Sequence, residues 1–211
     1  MTYSIANAAD FQRHFDVSRE TMERLEVYAA LLEKWNPKIN LVSRTTLDDM
    51  WRRHFADSAQ IWYMAPNNTQ HWLDIGSGAG FPGLVISAIA AEKSPETRVT
   101  LVESDQRKSV FMRTVAREMG VKTTVLTERI ENLPPQNADV LSARALAPLT
   151  NLLDFAEKHR KPAGTCLFPK GANVDSELTG AALSWHISPE KLPSMTDSNA
   201  VILRIGEFHR A

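Results

Sequence analysis

Four glycines follow an acidic residue in the segment 72–83, which reads WLDIGSGAGFPG. Asp74 lies near the end of a short apolar strand, and beyond the glycines apolar residues recur at helical spacing, at Val85, Ile86 and Ile89. Glycine lets the backbone approach a ligand closely, and the first N–H groups of a helix have no partners within it. A strand, a glycine turn and a helix N-terminus therefore predict a nucleotide pocket rather than a tight turn without a ligand.

This pocket suits one of two cofactors, NAD or S-adenosylmethionine. Residues 78–83 match the pattern G-x-G-x-x-G, and Glu103 follows where the ribose acid of an NAD site would lie. However, Asp74 is expected to face the pocket and repel a pyrophosphate, and Pro82 removes one backbone donor. S-adenosylmethionine has no phosphate; its ammonium group would pair with Asp74, and its ribose hydroxyls would donate to Glu103. We therefore favour S-adenosylmethionine, bound by Asp74, Glu103 and glycines of the turn such as Gly78.

The segment 142–148, which follows a predicted strand, narrows the reaction. It reads SARALAP and lacks the Asn or Asp, Pro-Pro and aromatic residue with which enzymes methylate exocyclic amines. Cys166 lies in an apolar strand, so an inert thiol is favoured over the nucleophile of carbon methylation. Transfer to an atom that already has a lone pair remains. Arg144 offers a donor fork for the O6 and N7 edge of guanine, for a carboxylate of the cofactor, or for a structural salt bridge.

Two further segments carry residues that are able to do chemistry. In the segment 53–58, RHFADS, His54 and Asp57 share one helical face, but a Ser-His-Asp hydrolase would need a G-x-S-x-G elbow, which is absent. Docking of this helix onto the glycine loop is the favoured role. Lys170 ends a strand at the same sheet edge, so we expect it either to point towards the substrate or to be an ordinary surface lysine.

A loop at residues 128–132, ERIEN, crosses the top of the predicted sheet after its third strand. In a doubly wound fold this position flanks an adenine ring. Ile130 would pack on the ring, and Glu131 or a nearby amide would meet its exocyclic group. An ordinary loop with a helical turn is the alternative.

Composition limits the class of protein. The chain has 211 residues, 43% of them hydrophobic, and a formal net charge of −1, so any nucleic acid must be met by a local basic face. The single cysteine excludes an internal disulfide framework and a cysteine metal cage, and we expect no metal. Residues 1–20 lack the apolar core of a signal peptide, and no run is long enough for a membrane span. We therefore expect a cytoplasmic protein.

The chain divides near residue 66. Residues 1–66 are predicted to form a helical extension packed on the core, and residues 67–211 a methyltransferase domain. Within the extension, a helix is expected from the N-cap Ser18 to Asn36, before Pro37, and a second one from about residue 45 to residue 62. The first helix carries an apolar stripe, formed by Leu25, Tyr28, Leu32 and Trp35.

Strands and helices alternate after residue 71, which predicts an α/β doubly wound sheet with ligands at the carboxyl ends of its strands. The predicted strands are 72–75, 98–103, 121–127, 139–143, 164–169, 182–188 and 200–207. The predicted helices are 81–92, 106–119, 148–159 and 172–181. No clear helix precedes the last strand, so we expect that strand to be antiparallel in a seven-stranded, mostly parallel sheet.

Five blocks together resemble one family, the bacterial ribosomal RNA small subunit methyltransferase G, also called glucose-inhibited division protein B. The blocks span nearly the whole chain and occur in the family's order, at 35–41, 53–58, 73–83, 142–145 and 169–171. The resemblance implies a seven-stranded Rossmann-like methyltransferase sheet with a helical N-terminal extension. It also implies cofactor contacts at Gly76, Phe81, Ile130, Glu131 and Arg144. Ile130 departs from the family pattern, since many members have alanine there.

The resemblance further implies methyl transfer from S-adenosylmethionine to N7 of a guanine in 16S ribosomal RNA, free or in the small subunit. N7 carries a lone pair and no proton, so alignment alone would serve, with Arg144 as the residue that joins cofactor and base. His54, Arg144 and Lys170 are the candidates for substrate contact, and we expect a monomer. A small-molecule methyltransferase, an NAD-dependent oxidoreductase and a cofactor-binding assembly factor remain alternatives.

Overall fold

The computed structural model describes residues 5–211, so the first four residues of the predicted extension lie outside it. The strands are β1 (His71–Ile75), β2 (Arg98–Val102), β3 (Thr123–Leu126), β4 (Ala138–Ser142), β5 (Arg160–Lys170), β6 (Trp185–Ile187), β7 (Glu190–Pro193), β8 (Val201–Ile205) and β9 (Phe208–Arg210). The α-helices are α1 (Ala8–His14), α2 (Arg19–Ile39), α3 (Arg44–Leu47), α4 (Asp57–Ala59), α5 (Gly83–Lys93), α6 (Gln106–Glu118), α7 (Leu149–His159) and α8 (Val174–Ala181).

The central sheet has seven strands in the order β3-β2-β1-β4-β5-β8-β7. Its first five strands pair in parallel, and β8 pairs antiparallel with both β5 and β7. The predicted fold class, a mostly parallel seven-stranded sheet with an antiparallel strand near its end, is confirmed. The carboxyl ends of β1, β2, β4 and β5 therefore meet at one edge, where the sequence predicted the ligand.

The predicted strand 182–188 is wrong as a member of this sheet. Its apolar residues form β6, which pairs with β9 in a separate two-stranded sheet, and Trp185 is buried there. The seventh strand of the main sheet is instead β7, an exposed polar edge strand that ends at Pro193. Proline is tolerated at an edge because no ladder hydrogen bond is needed on that side, and a polar edge leaves little hydrophobic pattern.

Helices cover both faces of the sheet. Helices α2, α5 and α6 bury one apolar cluster, which takes residues from both sides of position 66, including Tyr28 and Phe55 of the extension and Leu84 of the core. Helices α7 and α8 bury a second cluster on the other face. The division of the chain at residue 66 stays a prediction, although the extension shares its apolar core with the sheet.

The extension departs from the two regular helices that were predicted. Helix α2 begins at the Ser18 cap, as expected, but continues past Pro37 to Ile39, because Asn40 in a left-handed conformation closes the last turn. The second helix is not continuous. A π-helical turn at Trp51–Ala56 lies between α3 and α4, and three consecutive residues of that turn, His54, Phe55 and Ala56, are buried. Such wide turns are frequent at functional sites.

Candidate active site

The loops at the carboxyl edge of the sheet enclose a cavity of about 1550 Å³. The loops that follow β1, β2 and β4 supply Gly76, Glu103 and Arg144 to its wall, and Lys170, the last residue of β5, lies there too. The extension closes another side with His54 and its neighbours. With residues 130–131, which also line the cavity, the structure brings together the predicted site residues from six separate segments of the sequence, except for Asp74.

The glycine loop depends on backbone conformations that other residues rarely adopt. Gly76, Gly78 and Gly80 have positive φ angles, of 63°, 57° and 98°. The Ser77 hydroxyl donates to the carbonyl of Asp74 at 3.0 Å, which ties the loop to the end of β1. Gly76 and Gly78 both line the cavity, as predicted.

Glu103 is half-buried on the cavity wall and braces this loop. Its Oε2 accepts from the amide of Gly78 at 2.9 Å, and its Oε1 accepts from the amide of Asp105 at 2.8 Å. Each carboxylate oxygen has two lone pairs, so both can still accept from a ligand. Two hydroxyls of a ribose are a group of this kind.

The prediction that Asp74 faces the pocket is wrong. Its side chain is fully buried and does not line the cavity. Its Oδ1 accepts from the hydroxyl of Ser142 at 2.7 Å, and its Oδ2 accepts from the amide of Gly83 at 3.2 Å. Burial raises the pKa of Asp74 to about 6, and the hydrogen bonds from Ser142, Ser77 and Gly83 partly oppose this rise. Asp74 therefore joins β1, β4 and the start of α5 inside the fold.

Phe81 is enclosed by aromatic rings of the extension. Its ring stacks with Tyr28 at 4.8 Å and with His54 at 5.1 Å, and its residue is 2% exposed. The Tyr28 hydroxyl donates to the carbonyl of Ala79 at 2.7 Å. Sequence reasoning placed Tyr28 in an apolar stripe without assigning it a partner. A buried tyrosine hydroxyl needs such a partner, which is the signal that would have pointed to this contact.

His54 is a neutral part of the wall. Burial lowers its pKa to about 3, and the charges of Arg144 and Arg53 act in the same direction. The Thr46 hydroxyl donates to the carbonyl of Ser43 at 2.8 Å, so in the 2.9 Å contact with Thr46 the proton must come from His54 Nε2. Nδ1 then carries a lone pair that accepts no hydrogen bond from any group among residues 5–211. A cationic role of His54 towards RNA is not supported.

Arg144 links the loop after β4 to the extension. Its Nη1 donates to the carbonyl of Arg53 at 3.0 Å and lies 3.4 Å from Oδ2 of Asp57. Its guanidinium carbon lies 5.1 Å from the centre of the Phe81 ring. Nε and Nη2 have no partner among the described residues. Arg144 therefore makes the salt bridge that was one of its predicted roles, and it keeps two nitrogens available to a ligand. Asp57 pairs with Arg144 and not with Arg53, which is four residues before it in the sequence.

Asp57 also connects the extension to a loop that sequence reasoning missed. Its Oδ1 accepts from the hydroxyl of Thr196 at 3.0 Å, in the connection between β7 and β8. Arg52 donates to the carbonyl of the same threonine at 3.2 Å. Thr196 lines the cavity, but no motif marks its segment in the sequence.

Lys170 lines the cavity, yet its ammonium group is already paired. Nζ donates to Oε2 of Glu177 at 2.6 Å and to the carbonyl of Ala147 at 3.3 Å, and its side chain is 9% exposed. The same carboxylate oxygen accepts from the amide of Leu149 at 2.9 Å. Lys170 therefore secures the loop after β4. It lies on the cavity wall, and its contact with the substrate stays a prediction.

Ile130 and Glu131 also lie on the cavity wall, in a short 3₁₀ turn. The Ile130 carbonyl accepts from Nε2 of His159 at 3.0 Å, and the Glu131 carbonyl accepts from Lys158 at 2.6 Å. Ile130 is 7% exposed and belongs to the apolar cluster under α7, whereas Glu131 is exposed. Their assignment to an adenine ring stays a prediction.

Cys166 takes no part in the cavity. Its thiol is fully buried in β5, and burial raises its pKa to about 12, as expected for an inert core cysteine. Within residues 5–211 no three His, Cys, Asp or Glu side chains cluster so that they could hold a metal ion. No helix in the described part of the chain is long and apolar enough to cross a membrane.

The wall fits S-adenosylmethionine better than NAD. Glu103 offers acceptors for ribose hydroxyls, and the glycine loop leaves open space beside Gly78, where a Cβ atom would meet its nearest neighbour only at 3.9 Å. Pro82 in the loop lacks a backbone N–H donor that a pyrophosphate would use. The ammonium group of the cofactor would need an acceptor other than Asp74.

Comparisons with known proteins agree with this reading. The family model described as rRNA small subunit methyltransferase G matches residues 21–203. A protein of that name from Ruegeria sp. (strain TM1040) is 56% identical over 92% of this chain and 95% of its own length. A second one, from Rhodospirillum centenum, is 52% identical over 95% of this chain and 91% of its own length.

Solved structures show the same fold. A methyltransferase from Aquifex aeolicus that depends on S-adenosylmethionine superposes with a TM-score of 0.57 and 15% identity, over 74% of this chain and 93% of its own. An O-methyltransferase from Thermotoga maritima, which also depends on S-adenosylmethionine, superposes with a TM-score of 0.56 and 14% identity, over 74% of this chain and 66% of its own. S-adenosylmethionine is the cofactor, which confirms the choice made from the sequence. The chain belongs to the rRNA small subunit methyltransferase G family.

Proposed function

We propose that this chain transfers a methyl group from S-adenosylmethionine to N7 of a guanine in 16S ribosomal RNA. The observation that carries the proposal is the state of two groups that often act as base or nucleophile, the histidine on the cavity wall and the cysteine. His54 has a pKa of about 3, and the Cys166 thiol is buried away from the cavity with a pKa of about 12. Neither suits proton removal or attack at neutral pH. Guanine N7 has a lone pair and no proton, so it requires neither.

The glycine loop and its neighbours would hold the cofactor, which supplies an electrophilic methyl group when bound. Gly76 and Gly78 would let the ligand approach the backbone, and Glu103 would accept from the ribose hydroxyls. Ile130 would offer an apolar surface to the adenine ring, beside Glu131. Holding the nucleophile and the methyl group in line is catalysis by positioning.

Arg144 would hold the base. Its Nη1 is fixed to the extension, so Nε and Nη2 would donate to O6 of the guanine, the acceptor next to N7. Methylation at N7 makes the ring cationic. Asp57, Glu103 and Glu177 place carboxylates on the cavity wall, which would stabilise that charge.

Cations on the cavity rim support a polyanionic substrate in spite of the net charge of −1. Arg53, Lys108 and Arg129 line the cavity, and their charged groups have no hydrogen-bond or ion-pair partner among the described residues. Unpaired cations around a pocket are suited to phosphate contacts. We propose that the protein acts as a monomer in the cytoplasm, where ribosomal RNA is found.

The test combines a deletion strain with the purified protein. Mass mapping of 16S ribosomal RNA from a strain without this gene should show the loss of one methyl group, at N7 of a single guanine. Purified protein with S-adenosylmethionine should restore it on subunits or RNA from that strain. Unmethylated N7 in the parent strain, or methylation at another atom, would contradict the proposal. Light scattering of the purified protein would test the monomer.

A further inference from the structure

Leu146 is an exposed apolar side chain on the cavity wall. It is 39% exposed and lines the cavity, whereas the other large hydrophobic residues that are exposed within residues 5–211 lie outside it. These are Val27, Tyr63, Val110 and Leu183. An apolar side chain kept open to a cavity suggests contact with a ligand.

The loop that presents Leu146 is secured on both sides. Arg144 is bound to the extension through the carbonyl of Arg53. The carbonyl of Ala147 accepts from Lys170 at 3.3 Å. Between these anchors, Ala145 has a φ of 52°, a left-handed conformation that is unfavourable for alanine. The backbone thus holds Leu146 in one direction, and the unfavourable conformation of Ala145 costs some stability. Backbone strain of this kind is common at binding sites.

Leu146 lies directly over the glycine loop. A Cβ atom on Gly76 would be only 2.4 Å from its Cδ1, so the leucine occupies space that is open only because residue 76 is glycine. Leu146 therefore stands where the wall formed by the glycine loop meets the wall formed by Arg144. This boundary is where a methyl donor and its acceptor must come together.

We infer that Leu146 contacts the face of the target base and holds it against the methyl donor. This inference rests on the proposed function and deepens it. The faces of a purine are apolar, and the loop after β4 lacks the aromatic residue that amine methyltransferases use for stacking. A leucine packs against such a face, while Arg144 reads the edge of the ring. The two neighbouring residues thus fix the base in two different directions.

The test uses single-turnover methylation of 16S RNA by the full-length protein. Leu146→Ala should lower the rate of transfer at saturating RNA by about tenfold, since a loosely held base is seldom aligned. Its affinity for S-adenosylmethionine, by calorimetry, should change by less than about twofold. Leu146→Met keeps the volume and should recover most of the rate. Leu183→Ala, which removes another exposed leucine that is 83% exposed and outside the cavity, should match the wild type.

Three results would overturn the inference. Equal rates for Leu146→Ala and wild type would mean that the leucine makes no productive contact. A parallel loss of cofactor affinity would make it a cofactor contact, and a lowered melting temperature without recovery by methionine would make it structural. Wild-type protein that binds S-adenosylmethionine but leaves N7 of guanine unmethylated would instead overturn the proposed function, and this inference with it.

Discussion

The two walls of the cavity are held in place by different kinds of contact. The glycine wall, formed by Gly76, Gly78, Glu103 and Ile130, depends on positive φ angles and on hydrogen bonds with backbone groups. These contacts lie close to the strand ends in the sequence. Its geometry therefore follows from the fold of the sheet and from a short motif.

The side-chain wall, formed by His54, Asp57, Arg144 and Lys170, depends on ion pairs, ring stacking and side-chain hydrogen bonds. Asp57 and Arg144 are 87 residues apart in the sequence. His54 is fixed by Phe81 and Thr46, and Lys170 by Glu177. The difference suggests that the cofactor half of the site is set by local backbone structure, and the substrate half by how the extension docks.

The pH dependence of stability tests the state of Asp74, the buried acid that joins β1 to the start of α5 beneath the glycine wall. Burial raises the pKa of Asp74 to about 6 in the folded state, from an ordinary value of 3.8. The unfolded chain therefore releases this proton first, and the contribution of Asp74 to the free energy of unfolding falls as the pH rises from about 4 to 6, by on the order of 3 kcal/mol. In Asp74→Asn this contribution is absent.

Denaturant unfolding of both proteins at several pH values is the measurement. The stability of Asp74→Asn relative to wild type should increase between pH 4 and 6 and then stay constant. The substitution also alters hydrogen bonds, which changes the free energy of unfolding by the same amount at every pH. This constant difference does not matter, because only the change of the difference with pH is compared. Parallel curves would show that Asp74 does not titrate as a buried acid.

The glycine wall should also be sensitive to a single added methyl group. Gly76→Ala places alanine at a φ of 63° and its Cβ against Leu146. We expect a loss of about 1–2 kcal/mol of stability from the backbone, and in addition a fall of about tenfold or more in methyl transfer, because the leucine is displaced. Gly120→Ala is the matched control, since Gly120 has a φ of 66° and nothing within 4 Å. It should lose stability alone; equal transfer by both variants would contradict the prediction.

On the side-chain wall, Arg144→Lys should separate positioning from stability. Lysine keeps the charge but loses the planar fork, so the base would be held by one donor at most. We expect methyl transfer to fall by about tenfold, equal to about 1.4 kcal/mol in the barrier, with little change in melting temperature. Arg113→Lys removes another bound guanidinium, whose Nη2 donates to the carbonyl of Val125 and to the hydroxyl of Thr127 on the surface, and it should leave transfer unchanged. Normal transfer with a lower melting temperature would make Arg144 a structural residue.

The same difference explains what the sequence allowed us to predict. The strand–helix alternation, the cap at Ser18 and the glycine turn after β1 are local properties, and all appear in the structure. The direction of Asp74 was not predictable, because every residue of β1 is buried and no alternation marks a side.

The hydrogen-bond and ion-pair partners on the side-chain wall could not be predicted from the sequence either. The motif that contains Asp57 gave its helical face but not its contact with Arg144, and Thr196 lies in a segment without any motif. The pairing of Lys170 was not predicted, because its acceptor, Glu177, belongs to the next helix and carries no signal of its own. Such pairs are decided by tertiary packing rather than by spacing.

Tyr28 is the point at which the two kinds of wall are joined, and its removal should give the smallest effect. It belongs to the extension, yet its hydroxyl holds the carbonyl of Ala79 within the glycine loop. Tyr28→Phe keeps the ring and its stacking on Phe81, and leaves a buried carbonyl without its donor. We expect a loss of about 1 kcal/mol, which lowers the melting temperature by about 2–4 °C in a chain of this size.

The informative measurement is the affinity for S-adenosylmethionine in the same variant. If the extension helps to shape the glycine loop, Tyr28→Phe should weaken cofactor binding by about two- to fivefold, since part of the lost hydrogen-bond energy then appears in binding. Tyr63→Phe is the control, because that tyrosine is 50% exposed and stacks on Phe15, away from the glycine loop. Unchanged affinity together with a lower melting temperature would show that the hydroxyl stabilises the fold alone. Cofactor binding by the glycine wall would then not depend on the extension, in spite of the hydrogen bond between Tyr28 and Ala79. The two walls would then differ even more in what holds them in place.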